Sequence, residues 1–155
     1  MAQQLSLLLG QEIACLQQLL GILTQEHDSL LAADIDAIER ITAAKNQALE
    51  TQANATLERQ NFTAQHTFDR SNEGLLQFIA TCENSNSLLA AFDHLTSLAQ
   101  QCSDINNSNG HLIRQRQMQT RGALNIIRQT EVSAPTYSGQ GDTSDVPATR
   151  SLGEA

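Results

Sequence analysis

No proline interrupts the chain before Pro135, and through that stretch leucine, isoleucine and alanine recur at three- and four-residue steps. Proline breaks helix interiors, and a 3-4 apolar rhythm puts one sticky stripe on a helix, so this pattern favours long amphipathic helices packed side by side. The core chemistry agrees. Only five aromatics are present (Phe62, Phe68, Phe78, Phe92 and Tyr137), and no long alternating run of Val, Ile, Thr or Tyr exists to serve as a half-buried strand. The expected fold is therefore all-α: long antiparallel helices forming a bundle, or an extended helical hairpin plus a long third helix, ending in a flexible C-terminal tail. At 155 residues there is enough chain for one core and not for two.

The first helix is expected over residues 3 to 31, with a stripe at Leu5, Leu9, Ile13, Leu16, Leu20, Leu23 and Leu30 and a flanking row at Leu8, Cys15, Leu19 and Ile22. Gly10 and Gly21 interrupt it. Each costs about 1 kcal/mol against alanine, which predicts close backbone approach by a neighbour as the compensation. Asp34 is placed to cap a second helix running to residue 68, with Ile35, Ile38, Ile41, Lys45, Leu49, Ala53 and Leu57 on one side. Residues 69 to 72 are a polar break, and Ser71 is placed to cap a short helix over 72 to 82. A second break at 83 to 87 precedes a last helix reaching Thr130.

That last helix would be roughly 65 to 70 Å long if unbroken, against about 45 Å for the first and about 50 Å for the second. Either it bends back between Asn106 and Gly110, or its C-terminal half carries an uncovered stripe of Leu112, Ile113, Ala123, Leu124, Ile126 and Ile127 that implies a partner. Asn109 falls on the apolar line defined by Leu88, Phe92, Leu95, Cys102 and Ile105, where leucine would be ordinary. A polar residue in a helix seam costs stability and gains register or partner choice. The alternative is that Asn109 and Gly110 mark a helix C-cap and a loop.

A formal net charge of −8 argues against nucleic-acid binding, which needs clustered Lys and Arg to displace counterions. The charge is also uneven. No Lys or Arg precedes Arg40, whereas Glu12, Glu26, Asp28, Asp34, Asp36 and Glu39 do; from Ile105 to Thr130 there is no acid, but Arg114, Arg116, Arg121 and Arg128 are basic. The basic segment either packs against the acidic first helix, parallel or antiparallel, or receives an acidic partner. Cys15, Cys82 and Cys102 are odd in number and far apart, so no disulfide framework or zinc knuckle is expected. No targeting signal or transmembrane helix is expected either, and a cytoplasmic protein without cofactors or membrane insertion follows. The glycosylation-type triplets at Asn54, Asn61 and Asn106 are set aside on that basis.

From Glu131 onward, Ser, Thr, Gly and Pro supply 12 of 25 residues and no periodicity survives. Residues 1–130 are thus expected to form the helical domain and 131–155 a flexible tail. The tail holds the only tyrosine, Tyr137. One ring in a polar tail is either a stray residue or the anchor of a linear docking motif.

Taken together, Leu30-Leu-Ala-Ala-Asp-Ile-Asp-Ala-Ile-Glu-Arg-Ile-Thr-Ala-Ala-Lys45, the Asn-x-x-Asn-Gly-x-Leu-Ile run at 106 to 113 and Tyr-x-Gly-x-Gly at 137 to 141 resemble the FlgN family of bacterial flagellar export chaperones. The resemblance spans nearly the whole chain. It implies a small helical cytoplasmic protein that binds the C-terminal assembly helices of the hook–filament junction proteins and delivers them to the type III export gate, without catalysis. It further implies that Asn106, Asn109, Gly110, Leu112, Ile113, Arg116, Ala123, Leu124 and Ile127 bind the client, and that Tyr137 docks on the cytoplasmic domain of the gate. On the first view, Asn106 and Asn109 would set the register of the client helix.

Two other classes compete. An enzyme has little support: His27, His66, His94 and His111 lack metal-ligand spacing, no glycine-rich phosphate loop occurs, and the His-x-x-Lys-Gly run of a phosphotransfer domain is absent. A helical adaptor that self-associates, as a homodimer for example, would explain the helices and the apolar stripe but not the tail.

Overall fold

The computed structural model describes residues 1–67 and 69–133. Among these it has four helices: α1 (Ala2–Ala32), α2 (Ile35–Thr67), α3 (Asn72–Ala80) and α4 (Ser85–Ser133). No strand occurs among the described residues. The chain divides into two compact units, Met1–Arg116 and Gln117–Ala155.

Local chemistry sets the helix boundaries. Asp34 caps α2, its Oδ1 accepting the Ala37 amide at 3.0 Å, and Ser71 caps α3, its Oγ accepting the Gly74 amide at 3.1 Å. Asp69 steadies that second cap by accepting the Ser71 amide at 2.8 Å and the Ser71 hydroxyl at 2.6 Å. The same two bonds, hydroxyl first, hold the Asp69 carboxyl below the usual carboxylate range. α1 ends at Ala33, a left-handed residue with φ 58°. There the Ala33 and Asp34 amides return to the Leu30 and Ser29 carbonyls at 3.4 and 3.1 Å, closing the last turn.

The first unit is a three-helix bundle with α3 crossing one end. α1 and α2 are antiparallel, as the pairs Glu26–Lys45 and Glu12–Arg59 require. α4 runs parallel to α1: Cys102 meets Leu16, Asn109 meets Leu23 and Arg116 meets Leu31, at separations of 86, 86 and 85 residues. The core joins Leu5, Leu9, Leu16, Leu19 and Leu23 of α1 to Leu75, Phe78 and Ile79 of α3 and to Leu88, Phe92, Leu95, Leu98 and Cys102 of α4. Each fully buried leucine contributes about 1.5–3 kcal/mol relative to exposure. Burial raises the Cys102 thiol pKa, so the sulfur behaves as a core atom and not as a nucleophile. At the α3 end, Phe62 meets Phe78 edge-on with ring centroids 5.8 Å apart, and His66 lies 5.0 Å from Phe78.

Several expectations from the sequence are corrected. The buried face of α1 is Leu5, Leu8, Leu9, Glu12, Leu16, Leu19, Leu23, Glu26 and Leu30, so two carboxylates occupy positions that a leucine stripe would have filled. In α2 the anticipated stripe fails at both ends, because Ile35, Leu49, Ala53 and Leu57 are exposed and the buried residues are Ala48, Arg59 and Thr63. No helix closes on Gly10 or Gly21; a β-carbon at either would meet nothing within 4 Å. The C-cap reading of Asn109 and Gly110 is overturned too, since α4 continues through both to Ser133. By length and composition α1 could cross a membrane, with a mean hydropathy of 1.4 in its most apolar window. Its inner face instead carries two carboxylates ion-paired to α2, an arrangement suited to a protein core.

Candidate functional site

Two polar layers cross the bundle of the first unit, and neither contains an unsatisfied buried side-chain atom among the described residues. In the first, Glu12 of α1 is paired with Arg59 of α2, whose Nε and Nη2 both donate to the carboxylate. Thr56 donates to Glu12 Oε1 at 2.6 Å and itself accepts from Gln52 at 2.9 Å. With no buried side-chain nitrogen or oxygen of the layer left without a partner, the desolvation cost of two buried charges is largely offset.

The second layer joins three helices. Lys45 of α2 donates to both oxygens of Glu26 at 2.9 and 3.0 Å and to Asn106 Oδ1 at 3.3 Å. Asn109 of α4 is wholly buried, and its Nδ2 donates to the Leu23 carbonyl at 2.9 Å and to Glu26 Oε2 at 2.8 Å. Both amide hydrogens are thereby committed, so Asn109 Oδ1 must accept from His27 Nδ1, 2.8 Å away, which requires the Nδ1–H tautomer. Seven residues further along α4, Arg116 donates from Nη2 to the Leu31 carbonyl at 3.1 Å. That carbonyl lies in the last turn of α1, where no basic residue of α1 itself is present, and a guanidinium there offsets the negative helix end.

The residues singled out in the sequence therefore separate into two groups. Asn106 and Asn109 come together with Glu26, His27 and Lys45, and their partners are other helices of this same chain. Gly110, Leu112, Ile113 and Arg116 are half-buried along α4. In the second unit every residue from 117 to 129 is exposed, with Met118 68%, Leu124 49%, Ile126 66% and Ile127 55% accessible. Ala123 is exposed on the same segment. Tyr137 lies outside the described residues. The arginines of the acid-free segment do not pair with the carboxylates of α1; among the described residues the ion pairs are Glu26–Lys45 and Glu12–Arg59.

Sequence reasoning missed Glu12, Glu26, His27 and Arg59. The signal was present: continuing the 4-3 steps from Leu5 and Leu9 lands on Glu12, and from Leu19 and Leu23 on Glu26. Lys45 already stood on the expected inner face of α2. These charged residues stand on the helix seam and are complementary across two helices.

Comparison with known proteins agrees with this architecture. The sequence profile of one family, described as FlgN protein, matches residues 1–145. The fold is similar to that of a Pseudomonas aeruginosa protein solved by crystallography and named as a flagella synthesis protein FlgN, with a TM-score of 0.65 and 24% identity over 79% of this chain and 94% of that one. No curated protein sequence matches significantly. A profile match spanning all four helices and the turns between them is a family assignment: the chain belongs to the FlgN family, the flagellar export chaperones.

Proposed function

We propose that this protein is a cytoplasmic chaperone that binds the C-terminal helices of hook–filament junction proteins, keeps them from assembling early and delivers them to the flagellar export gate. The observation that carries the proposal is the segment 117–129 of α4, which is exposed along its whole length yet contains Met118, Leu124, Ile126 and Ile127. A helix that carries apolar residues without an acid suits an amphipathic partner helix bearing a complementary apolar stripe and acidic flanks. A secreted subunit whose terminal helix drives polymerisation needs that stripe covered until export, and release during export calls for moderate affinity.

In this reading Leu112, Ile113, Arg116, Ala123, Leu124 and Ile127 contact the client. Asn106, Asn109 and Gly110 contribute through the placement of α4 instead of direct contact, because the amide of Asn109 is already committed to α1. Tyr137 docks on the gate. Co-expression with a hook–filament junction protein, with and without the client's C-terminal helix, tests the first part. Saturable binding that disappears with that helix supports it. Self-association with no binding to either junction protein would favour a helical adaptor instead. For the second part, Tyr137→Ala should leave client affinity unchanged and weaken binding to the gate's cytoplasmic domain, measured on the two partners separately.

A further inference from the structure

The helices α1 and α4 pack in parallel through a seven-residue repeat. Leu9, Leu16, Leu23 and Leu30 on α1 face a line on α4 that includes Cys102, Asn109 and Arg116. Apolar repeats of this kind are nearly interchangeable, since a one-heptad slip replaces leucine with leucine and moves α4 about 10 Å along its partner. α4 is additionally irregular: Phe92, Leu95 and Leu98 follow one another by two successive three-residue steps, whereas the buried line of α1 keeps its 4-3 alternation from Leu9 to Leu30. Extra three-residue steps overwind a helical seam locally. Between Leu98 and Asn109 the apolar residues that pack α4 on the core are only the small Cys102 and the half-buried Ile105, so apolar contact alone sets the rotation of this stretch weakly.

Asn109 is where that freedom ends. It is completely buried, and it spends both amide hydrogens and its oxygen on Leu23, Glu26 and His27 of α1. Glu26 is held in turn by Lys45 of α2, which also reaches Asn106. A slip or rotation would bury Asn109 against leucine and leave Glu26 with one partner fewer, a penalty that no apolar layer carries. We propose that Asn109, together with Glu26 and Lys45, is the positioning element of the chaperone: it fixes the register and rotation of α4 on α1, and so decides which α4 residues stay outside the seam for the client. The effect on client binding rests on the function proposed above; the effect on register does not.

The test measures register directly. In a full-length background carrying Cys15→Ala, Cys82→Ala and Cys102→Ser, spin labels at Thr24→Cys and Ser108→Cys, which line one concavity, report the α1–α4 offset as a distance. Asn109→Leu and the apolar triple variant Glu26→Leu, Lys45→Met, Asn109→Leu are compared with the unaltered layer. The expected result is a second or shifted distance in both leucine variants with helix content retained, and an at least tenfold weaker affinity for a junction protein's C-terminal helix. A single, unshifted distance in a folded leucine variant overturns the proposal, and if the triple variant does not fold, Asn109→Leu decides by the same measurement. If the unaltered chain fails to bind the junction helix, the chaperone reading falls while the distances still settle the register.

Discussion

Gly74 sits in the first turn of α3 under a tight roof, since a β-carbon there would lie 2.8 Å from Asp69 Cβ and 3.0 Å from the Asp69 carbonyl oxygen. Gly10 and Gly21 have open space in the same direction. One substitution should therefore have opposite effects at these sites. Gly10→Ala and Gly21→Ala are expected to stabilise the fold by about 0.5–1 kcal/mol each through helix propensity. Gly74→Ala should destabilise it by about 1–3 kcal/mol, because the cap must shift to admit a methyl group. Urea unfolding of the three variants checks both signs. Ala33 makes a related case: alanine holds a left-handed conformation at φ 58° that glycine adopts without a steric cost. Ala33→Gly should raise stability by about 0.5–1 kcal/mol, read as a higher urea midpoint at unchanged slope.

At the scale of elements, α2 is the unusual member. Its buried residues are Ala48, Arg59 and Thr63, so it docks largely through polar layers on the two carboxylates of α1. The Glu12–Arg59 pair has side chains only 3% and 5% exposed. Removing one partner strands a buried charge, and Glu12→Ala is expected to cost about 3–5 kcal/mol. Glu12→Leu combined with Arg59→Met should recover most of that loss, because a well-packed apolar layer has no charge to desolvate. A double-mutant cycle by chemical denaturation measures the coupling; additive single effects would mean that the two side chains contribute independently. The expected inner stripe of α2 failed for the same reason. Leu49 and Leu57 drew the periodicity to the wrong face, while the residues on the correct face were polar and complementary to α1.

For the whole molecule, stability and client binding should be separable along α4. Leu124→Glu with Ile127→Glu lies in a stretch whose side chains are exposed, so the melting temperature should change little, within roughly 0.5 kcal/mol of unfolding free energy. Binding to a junction protein's terminal helix should be lost, as titration calorimetry would show. The sequence by itself determined that the described chain is helical, where the first three helices start, and that something polar interrupts the seam near Asn109; α4 begins at Ser85, inside the expected break at 83 to 87. Those features come from proline absence, capping side chains and 3-4 spacing, all of which act within a few residues. Only the tertiary structure decided that α4 runs parallel to α1, which cations meet the inward Glu12 and Glu26, and that Asn109 is bonded to the chain's own first helix. These depend on which surfaces meet: a carboxylate on a helix is a solvent residue or a core residue according to whether another helix brings a cation to it, and no local pattern in α1 records where Arg59 and Lys45 will stand.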